Sequence, residues 1–410
     1  MKAVVSTIGR FHSVNQALQL QARGALAALF TGYPRFKLRD SGIDPDRLRN
    51  WPWLQAPYMA LIRYPWFQSH LAGEWAWRAQ SMHDRHVAAN LPECDVAIVL
   101  SGMGLCTGRA IQKRGGRYVC DRGSSHIGFQ DDLQREEYGL HGFVWKGIDP
   151  RVKAKELAEY ERADAIAVPS SFVRDSFIAR GVPADRLRLL PYGGDLSRFR
   201  PLGPKDGGFR ILFVGQPGIR KGLPYLLRAV RRAGIAGAEL VLAGLEQPET
   251  AVLLARESGV AATMAGVLRG DDLVREMARA SVLVLPSVED GFGMVMAEAM
   301  ACGTPVIATT NTGAADLFTD GVEGFIVPIR DPDALADRLV RMADDPALTA
   351  AMGNAARERV RSFGGWDDYG RRLHAVLEDL VRPGPPHPVI PGPVIPEPVI
   401  PGPAPAGAKP

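Results

Sequence analysis

The chain has 410 residues, 46% of them hydrophobic and 23% charged, with a formal net charge of +4. That is the balance of a soluble globular chain long enough for two cores; so mild a positive charge suits an anionic small molecule or an acidic membrane face and gives no footing for nucleic acid. Four scattered cysteines, Cys94, Cys106, Cys120 and Cys302, show no metal-ligand spacing, so reduced thiols in a cytoplasmic setting are expected.

Residues 2–8 read as a first buried strand. It ends in Gly9, whose bare backbone leaves room for a ligand, and residues 15–30 then have helical spacing. Gly9-Arg10 interrupts the apolar start, so no secretory leader is expected, and no apolar run approaches the roughly 20 residues that span a bilayer. From Trp51 to Trp77 the composition shifts: five of the seven tryptophans gather there with Tyr58, Tyr64, Phe67, Arg63 and Arg78. Two readings stand, core packing between helices or an amphipathic surface for a membrane face or a lipid-linked molecule.

Residues 95–100 form a second clear strand, followed by Ser101-Gly102-Met103-Gly104. Residues 117–120 form a third and deliver Asp121-Arg122-Gly123-Ser124-Ser125-His126 to its carboxyl end, where α/β sheets place their ligands. His126 at that edge reads equally as a ligand-binding or a packing histidine. A helix over residues 153–162, a strand over 165–168 and a last element over 188–195 complete this half. Residues 201–208, Pro-Leu-Gly-Pro-Lys-Asp-Gly-Gly, are linker-like and mark a domain boundary.

The pattern then restarts. Residues 209–214 read as a strand, followed by a glycine-bearing turn with Arg220-Lys221-Gly222 and a helix from Leu223. Strands follow at 239–243, 262–265, 280–285 and 306–308, with a short helix over 294–302 and a closing helix over 363–380. Strands alternating with helices in both halves predict an α/β protein of two doubly wound parallel sheets facing across a cleft. From Pro383 to Pro410 the motif Pro-Val-Ile-Pro recurs three times, which predicts an extended tail, inert or a docking element for a partner.

The chemistry gathers in two places. Glu298 is the only charge in the short helix over 294–302, amid Met, Ala and Val. A buried carboxylate needs hydrogen-bond donors; ribose hydroxyls or a protein Arg or Lys would serve. Arg220 and Lys221, after a strand and a glycine turn and just before a helix, put two cations and a helix amino end where a diphosphate could sit. The order of residues is not that of a Walker A loop. Asp-x-Asp pairs occur only as Asp44-Pro45-Asp46 and Asp331-Pro332-Asp333, both of which read as helix caps, so a metal-free diphosphate site is expected.

The second half resembles the retaining glycosyltransferases of family GT4, which have the GT-B fold. The matching residues are Phe213-Val214-Gly215, Arg220-Lys221-Gly222, Ala243-Gly244, Gly266-Val267, Leu285-Pro286-Ser287, Asp290-Gly291-Phe292-Gly293, the run from Glu298 to Val306, Thr312-Gly313 and the run from Gly321 to Pro328. The first half is similar more loosely, through residues 9–12, 122–126, 168–170 and 191–195. The resemblance implies an acceptor-side domain over 1–200 completed by a closing helix at 366–382, and a sugar-nucleotide domain over 201–365. The tail from 383 to 410 falls outside it.

The resemblance also implies roles. Glu298 would hold ribose hydroxyls, Asp290 donor-sugar hydroxyls, and the backbone N–H groups of Phe292, Gly293 and Met294 the sugar or its phosphate. Lys221 would neutralise the diphosphate, Val267 would meet the base through its main chain, and His126 would lie near the transferred sugar. Two departures stand out. Asp290 replaces a family Glu, with Glu289 beside it as a substitute carboxylate, and Gln216 replaces a phosphate-binding Arg, for which Arg220 could stand in. The expectation is a metal-independent, retaining transfer from a nucleotide-diphosphate sugar to a glycan, lipid-linked or small-molecule hydroxyl. An idle relative that only binds a sugar nucleotide or a partner is the alternative.

Overall fold

A computed structural model describes residues 1–203, 205, 207–257 and 259–382; the proline-rich segment and its expected docking role lie outside the described residues. Two parallel sheets carry the architecture. The first contains β1 (Ala3–Thr7), β2 (Leu26–Thr31), β3 (Leu48–Asn50), β4 (Val96–Leu100), β5 (Arg117–Asp121), β6 (Ala165–Val168) and β7 (Leu187–Leu189), in the order β3-β2-β1-β4-β5-β6-β7. The second contains β8 (Arg210–Val214), β9 (Glu239–Ala243), β10 (Ala262–Gly266), β11 (Val282–Leu285), β12 (Val306–Thr309) and β13 (Gly324–Val327), in the order β10-β9-β8-β11-β12-β13. Helices cover both faces of each sheet, so the central strands, such as β1, β11 and β12, are buried on both sides and read as continuous apolar runs rather than alternating ones.

In both sheets the chain starts in the middle, winds outward on one side and then returns to the other. The strand order therefore reverses between β1 and β4 and again between β8 and β11. At such a switch point the loops leaving the carboxyl ends of the two strands diverge and open a crevice for a ligand.

One stretch departs from its sequence pattern. Residues 15–30 do not form one helix: the helix Ser13–Ala22 ends before Gly24, which takes φ 68°, and Leu26–Thr31 pairs beside β1. Leu-Ala-Ala-Leu-Phe-Thr is apolar throughout, and periodicity alone cannot tell a doubly buried strand from a buried helix. The tryptophan-rich region is packed in part and exposed in part. Phe67 is fully buried with Tyr58, Trp66 and Trp75 edge-on around it, and Trp75 Nε1 donates to the Leu54 carbonyl at 2.9 Å. Trp53 and Trp66, by contrast, are 75% and 55% exposed. The helix Gly365–Val381 returns to the first sheet, where Tyr369, Leu373, Leu377 and Leu380 join the core around Val5 and Ile98.

Candidate active site

The two loops at the β8/β11 switch point are held together by their backbones. The Arg220 carbonyl accepts from the Val288 N–H at 3.0 Å, and Gly222 sits so close to Pro286 that an added Cβ would come within 1.9 Å of its carbonyl oxygen. With φ 72° as well, only glycine fits there, and the helix Leu223–Ala233 starts immediately after it. Lys221 thus leaves the first loop beside the second, and its ammonium donates directly to the Asp290 carboxylate. The nominal diphosphate cation and the nominal sugar-binding acid are brought together.

Beyond Asp290 the chain is shaped to turn sharply into a helix. Gly293 takes φ 79°, the Phe292 carbonyl accepts from the Gly313 N–H at 3.0 Å, and Met294 caps the helix Val295–Ala301. Glu298 lies in that helix. Burial raises its carboxyl pKa, and among the described residues no Arg, Lys or other side chain pairs with it. A carboxylate that has lost much of its water and gained no protein donor has hydrogen-bonding capacity left for a ligand.

The two departures from the family pattern resolve differently from expectation. Glu289 is fully buried and does not duplicate Asp290: it faces the first domain, accepting from the Ser125 N–H at 3.2 Å, the Ser125 hydroxyl at 2.9 Å and Gln130 Nε2 at 3.1 Å. Arg220 turns to the same carboxylate, with Nη1 3.1 Å from Glu289 Oε2. Gln216, in the place of the family Arg, is exposed at the end of β8. Val267, just past β10, is 52% exposed.

On the first domain, Gly9 is buried behind the ring of Phe11, which occupies the space a Cβ would take. His126 caps the helix Ile127–Leu140, its Nδ1 accepting from the Gly128 N–H at 3.1 Å, and its ring packs on Tyr160 and Phe177. Burial, helped by Arg180, Arg122 and Lys153, pushes its pKa down to about 4. It is a neutral imidazole with its proton on Nε2.

Sequence reasoning missed three features. Glu159 fills the glycine turn after β4: Gly102 and Gly104 each donate a backbone N–H to its carboxylate at 2.7 Å, so an internal acid occupies what resembled a ligand loop. His12 Nε2 lies 2.6 Å from Asp121 Oδ2, where the loops after β1 and β5 meet, and Gln16 Nε2 donates to the same oxygen at 2.9 Å. Ser170 Oγ donates to the Gly291 carbonyl at 2.6 Å, and Ser171 to Asp316. Each pairs residues far apart in the chain, which local pattern cannot announce. Asp44 caps a single helical turn over Pro45–Arg47 and Asp331 the helix Pro332–Asp344, as their spacing suggests. Among the described residues no group of three or more His, Cys, Asp or Glu side chains is placed to hold a metal, and no helix is long and apolar enough to cross a membrane.

Residues 197–359, which contain both switch-point loops and Glu298, match the family described as glycosyl transferases group 1. The second domain belongs to that family. Among curated relatives, the D-inositol 3-phosphate glycosyltransferase of Saccharomonospora viridis is 32% identical over 263 residues, 58% of this chain and 60% of the relative. The GDP-mannose-dependent monoacylated alpha-(1-6)-phosphatidylinositol monomannoside mannosyltransferase of Corynebacterium glutamicum is 32% identical over 215 residues, 47% of this chain and 56% of the relative. The chain thus spans between about half and three-fifths of the length of such relatives. The whole fold is shared with solved glycosyltransferases. Sucrose-phosphate synthase from Thermosynechococcus elongatus superposes with a TM-score of 0.69 at 23% identity, covering 93% of this chain and 99% of that one. Anabaena HepE, in complex with UDP and glucose, gives 0.67 at 17% identity over 92% and 100%. The two-sheet architecture of the chain is therefore that of the GT-B fold.

Proposed function

We propose that this group 1 chain transfers a sugar from a nucleotide-diphosphate sugar to an acceptor hydroxyl, with retention at the anomeric carbon and without a metal ion. The observation that carries the reading is the unpaired, desolvated carboxylate of Glu298, in the helix that follows the Lys221–Asp290 switch-point loops. In this reading Glu298 takes the ribose hydroxyls. Lys221, with three N–H donors of which Asp290 takes one, offers the others to the diphosphate as negative charge builds on the leaving group. Asp290 and the backbone N–H groups of Phe292, Gly293 and Met294 orient the sugar. The leaving phosphate takes the acceptor proton on the face it departs from, which gives retention. Residues 1–200 and the closing helix form the acceptor side, residues 201–365 the donor side.

The acceptor class that fits best is amphipathic or lipid-linked, presented at a membrane face. Trp53, Trp66 and Tyr64 are exposed on the first domain, and the Arg63 guanidinium sits 4.9 Å over the Tyr64 ring. Aromatic rings and arginines of this kind favour the headgroup region.

The deciding experiment is turnover of UDP-glucose and GDP-mannose by the full chain, with and without EDTA, against soluble and lipid-linked acceptors. NMR of the product anomeric centre gives the stereochemistry. Transfer that keeps the donor's configuration and survives EDTA supports the reading. Binding of a donor with neither transfer nor hydrolysis would replace it with a binding module, a reading favoured by the engagement of Arg220 with Glu289 rather than with open space.

A further inference from the structure

Two buried carboxylates tie the domains, Glu137, which accepts from Tyr225 and Arg330 of the second domain, and Glu289, which stands directly beside the Asp290 turn. The Glu289 side chain is wholly buried, and its four hydrogen bonds divide between the domains: three come from the first, from the Ser125 N–H, the Ser125 hydroxyl and Gln130, and one comes from Arg220 of the second. Around it the backbones touch. Gly291 lies against Gly123 so closely that an added Cβ would be 1.8 Å from the Gly123 carbonyl oxygen, and Ser170 holds the Gly291 carbonyl from the other side. A second cation, Arg122, stands close enough to feel the Glu289 charge while its own guanidinium pairs with Glu156 at 2.8 Å.

We propose that Glu289 is a positioning residue whose carboxylate latches the domains closed, and that closure in turn fixes Arg220 and the turn that carries Asp290. The physical basis is an imbalance. Apart, the domains leave the Glu289 carboxylate open to water. Together, they strip that water, and burial of this carboxylate is tolerated only because donors from both domains replace it. Loss of any one donor leaves a buried charge short of a partner, which costs more than the hydrogen bond itself contributes, so the equilibrium moves toward the open form. Because Asp290 follows Glu289 directly, the same movement releases the sugar-binding turn from its fixed position. The latch itself stands on geometry; its consequence for catalysis rests on the transfer reading proposed above.

The test uses the full chain and separates the two. Small-angle scattering measures closure without any donor, and calorimetry with UDP-glucose and GDP-mannose measures binding. Ser125→Ala and Gln130→Ala, which leave Glu289 in place, and Glu289→Gln, which removes the charge that Arg220 and the serine address, should each increase the radius of gyration while near-ultraviolet circular dichroism of the domain cores stays unchanged. Where either nucleotide sugar binds the wild type, its affinity should fall at least tenfold in all three variants. Variants that scatter like the wild type would overturn the latch, even if Glu289→Gln alone failed to fold, because the two first-domain variants would still report. A wild type that binds and turns over neither nucleotide sugar, yet opens in all three variants, would leave the latch standing and defeat the transfer reading.

Discussion

The ammonium of Lys221 donates directly to the carboxylate of Asp290, which stands 69 residues further along the chain on the neighbouring switch-point loop. The pair joins two residues whose proposed partners, a diphosphate and a sugar, are different parts of one donor. A cation tethered by a carboxylate is already oriented when its ligand arrives. Lys221→Ala and Asp290→Asn should each lower kcat/KM by at least about 100-fold, and the double variant should be little worse than either single one, since residues acting as a unit are strongly non-additive. Steady-state kinetics on the three variants checks this; losses that simply multiply would mean that the two side chains act independently.

Asp290→Glu asks a different question. The added methylene pushes the carboxylate further from its backbone and presses on the Lys221 contact. The expected result is a changed ranking of donor sugars with donor binding retained, measured as the ratio of kcat/KM values for UDP-glucose and GDP-mannose. An unchanged ratio would show that position 290 does not read the sugar.

Glu298 carries a stability prediction as well as a functional one. Its pKa is raised by burial, so the folded state holds its proton more tightly than the unfolded chain does. The stability this gives is present below the unfolded pKa and is lost as pH rises through the folded value, which leaves a standing penalty at neutral pH. Glu298→Gln removes that penalty. The variant should melt at or above the wild-type temperature at pH 7 while losing donor affinity, read by thermal denaturation and calorimetry. A marked fall in Tm would point to a structural partner for the carboxylate instead.

Much of the placement of this candidate site could be read in the chain before folding, because its signals are local. Lys221 follows a strand and a glycine turn, Glu298 is the lone charge in an apolar helix, and doubly buried strands such as β11 are continuous apolar runs. Where the local signal is ambiguous the reading fails, as at Leu26–Thr31, which could have been either helix or strand until Gly24 ended the helix before it. Where the partner is remote there is no signal at all. Nothing near Glu289 says that Gln130, 159 residues earlier, will take one of its oxygens while Asp290 beside it turns to Lys221. Adjacent carboxylates look alike in sequence and are distinguished only by the docking of two domains. The same holds for Glu159, whose carboxylate fills the Gly102–Gly104 turn from 55 and 57 residues away.

His126 makes acid the destabilising direction. Burial holds its pKa at about 4, and the same cause places His83 at about 4, against 6.5 for a free imidazole. Between those values the unfolded chain binds protons that the folded chain refuses, so stability is full above pH 6.5 and is lost as pH falls toward 4. Each imidazole accounts for on the order of 3 kcal/mol across that window. His126→Asn keeps a side-chain acceptor at the helix cap without titrating, so its Tm should fall less than the wild type's between pH 7.5 and 5. Because His126 is already neutral throughout that range, the wild-type pH–rate profile should show no inflection that His126→Asn removes. An inflection near pH 6.5 abolished by the substitution would show that the ring titrates in the active enzyme.

Trp53 and Trp66 test the membrane-facing reading of the first domain. Both rings are largely exposed, at 75% and 55%, whereas Phe67 is buried and Trp75 hydrogen-bonded. Changing Trp53 to serine should therefore cost about 0.5 kcal/mol or less in folding stability, and changing Trp66, whose ring packs edge-on against Phe67, up to about 1.5 kcal/mol. If both rings seat in the headgroup region, the double variant loses two interfacial anchors, and its partitioning onto vesicles of phosphatidylglycerol and phosphatidylcholine should fall at least fivefold in a sedimentation assay. Raising the salt should weaken the remaining binding further, since Arg63 beside Tyr64 contributes through charge. Equal binding of wild type and variant would remove this face from contact with the membrane, and a soluble acceptor would become the better substrate class to pursue.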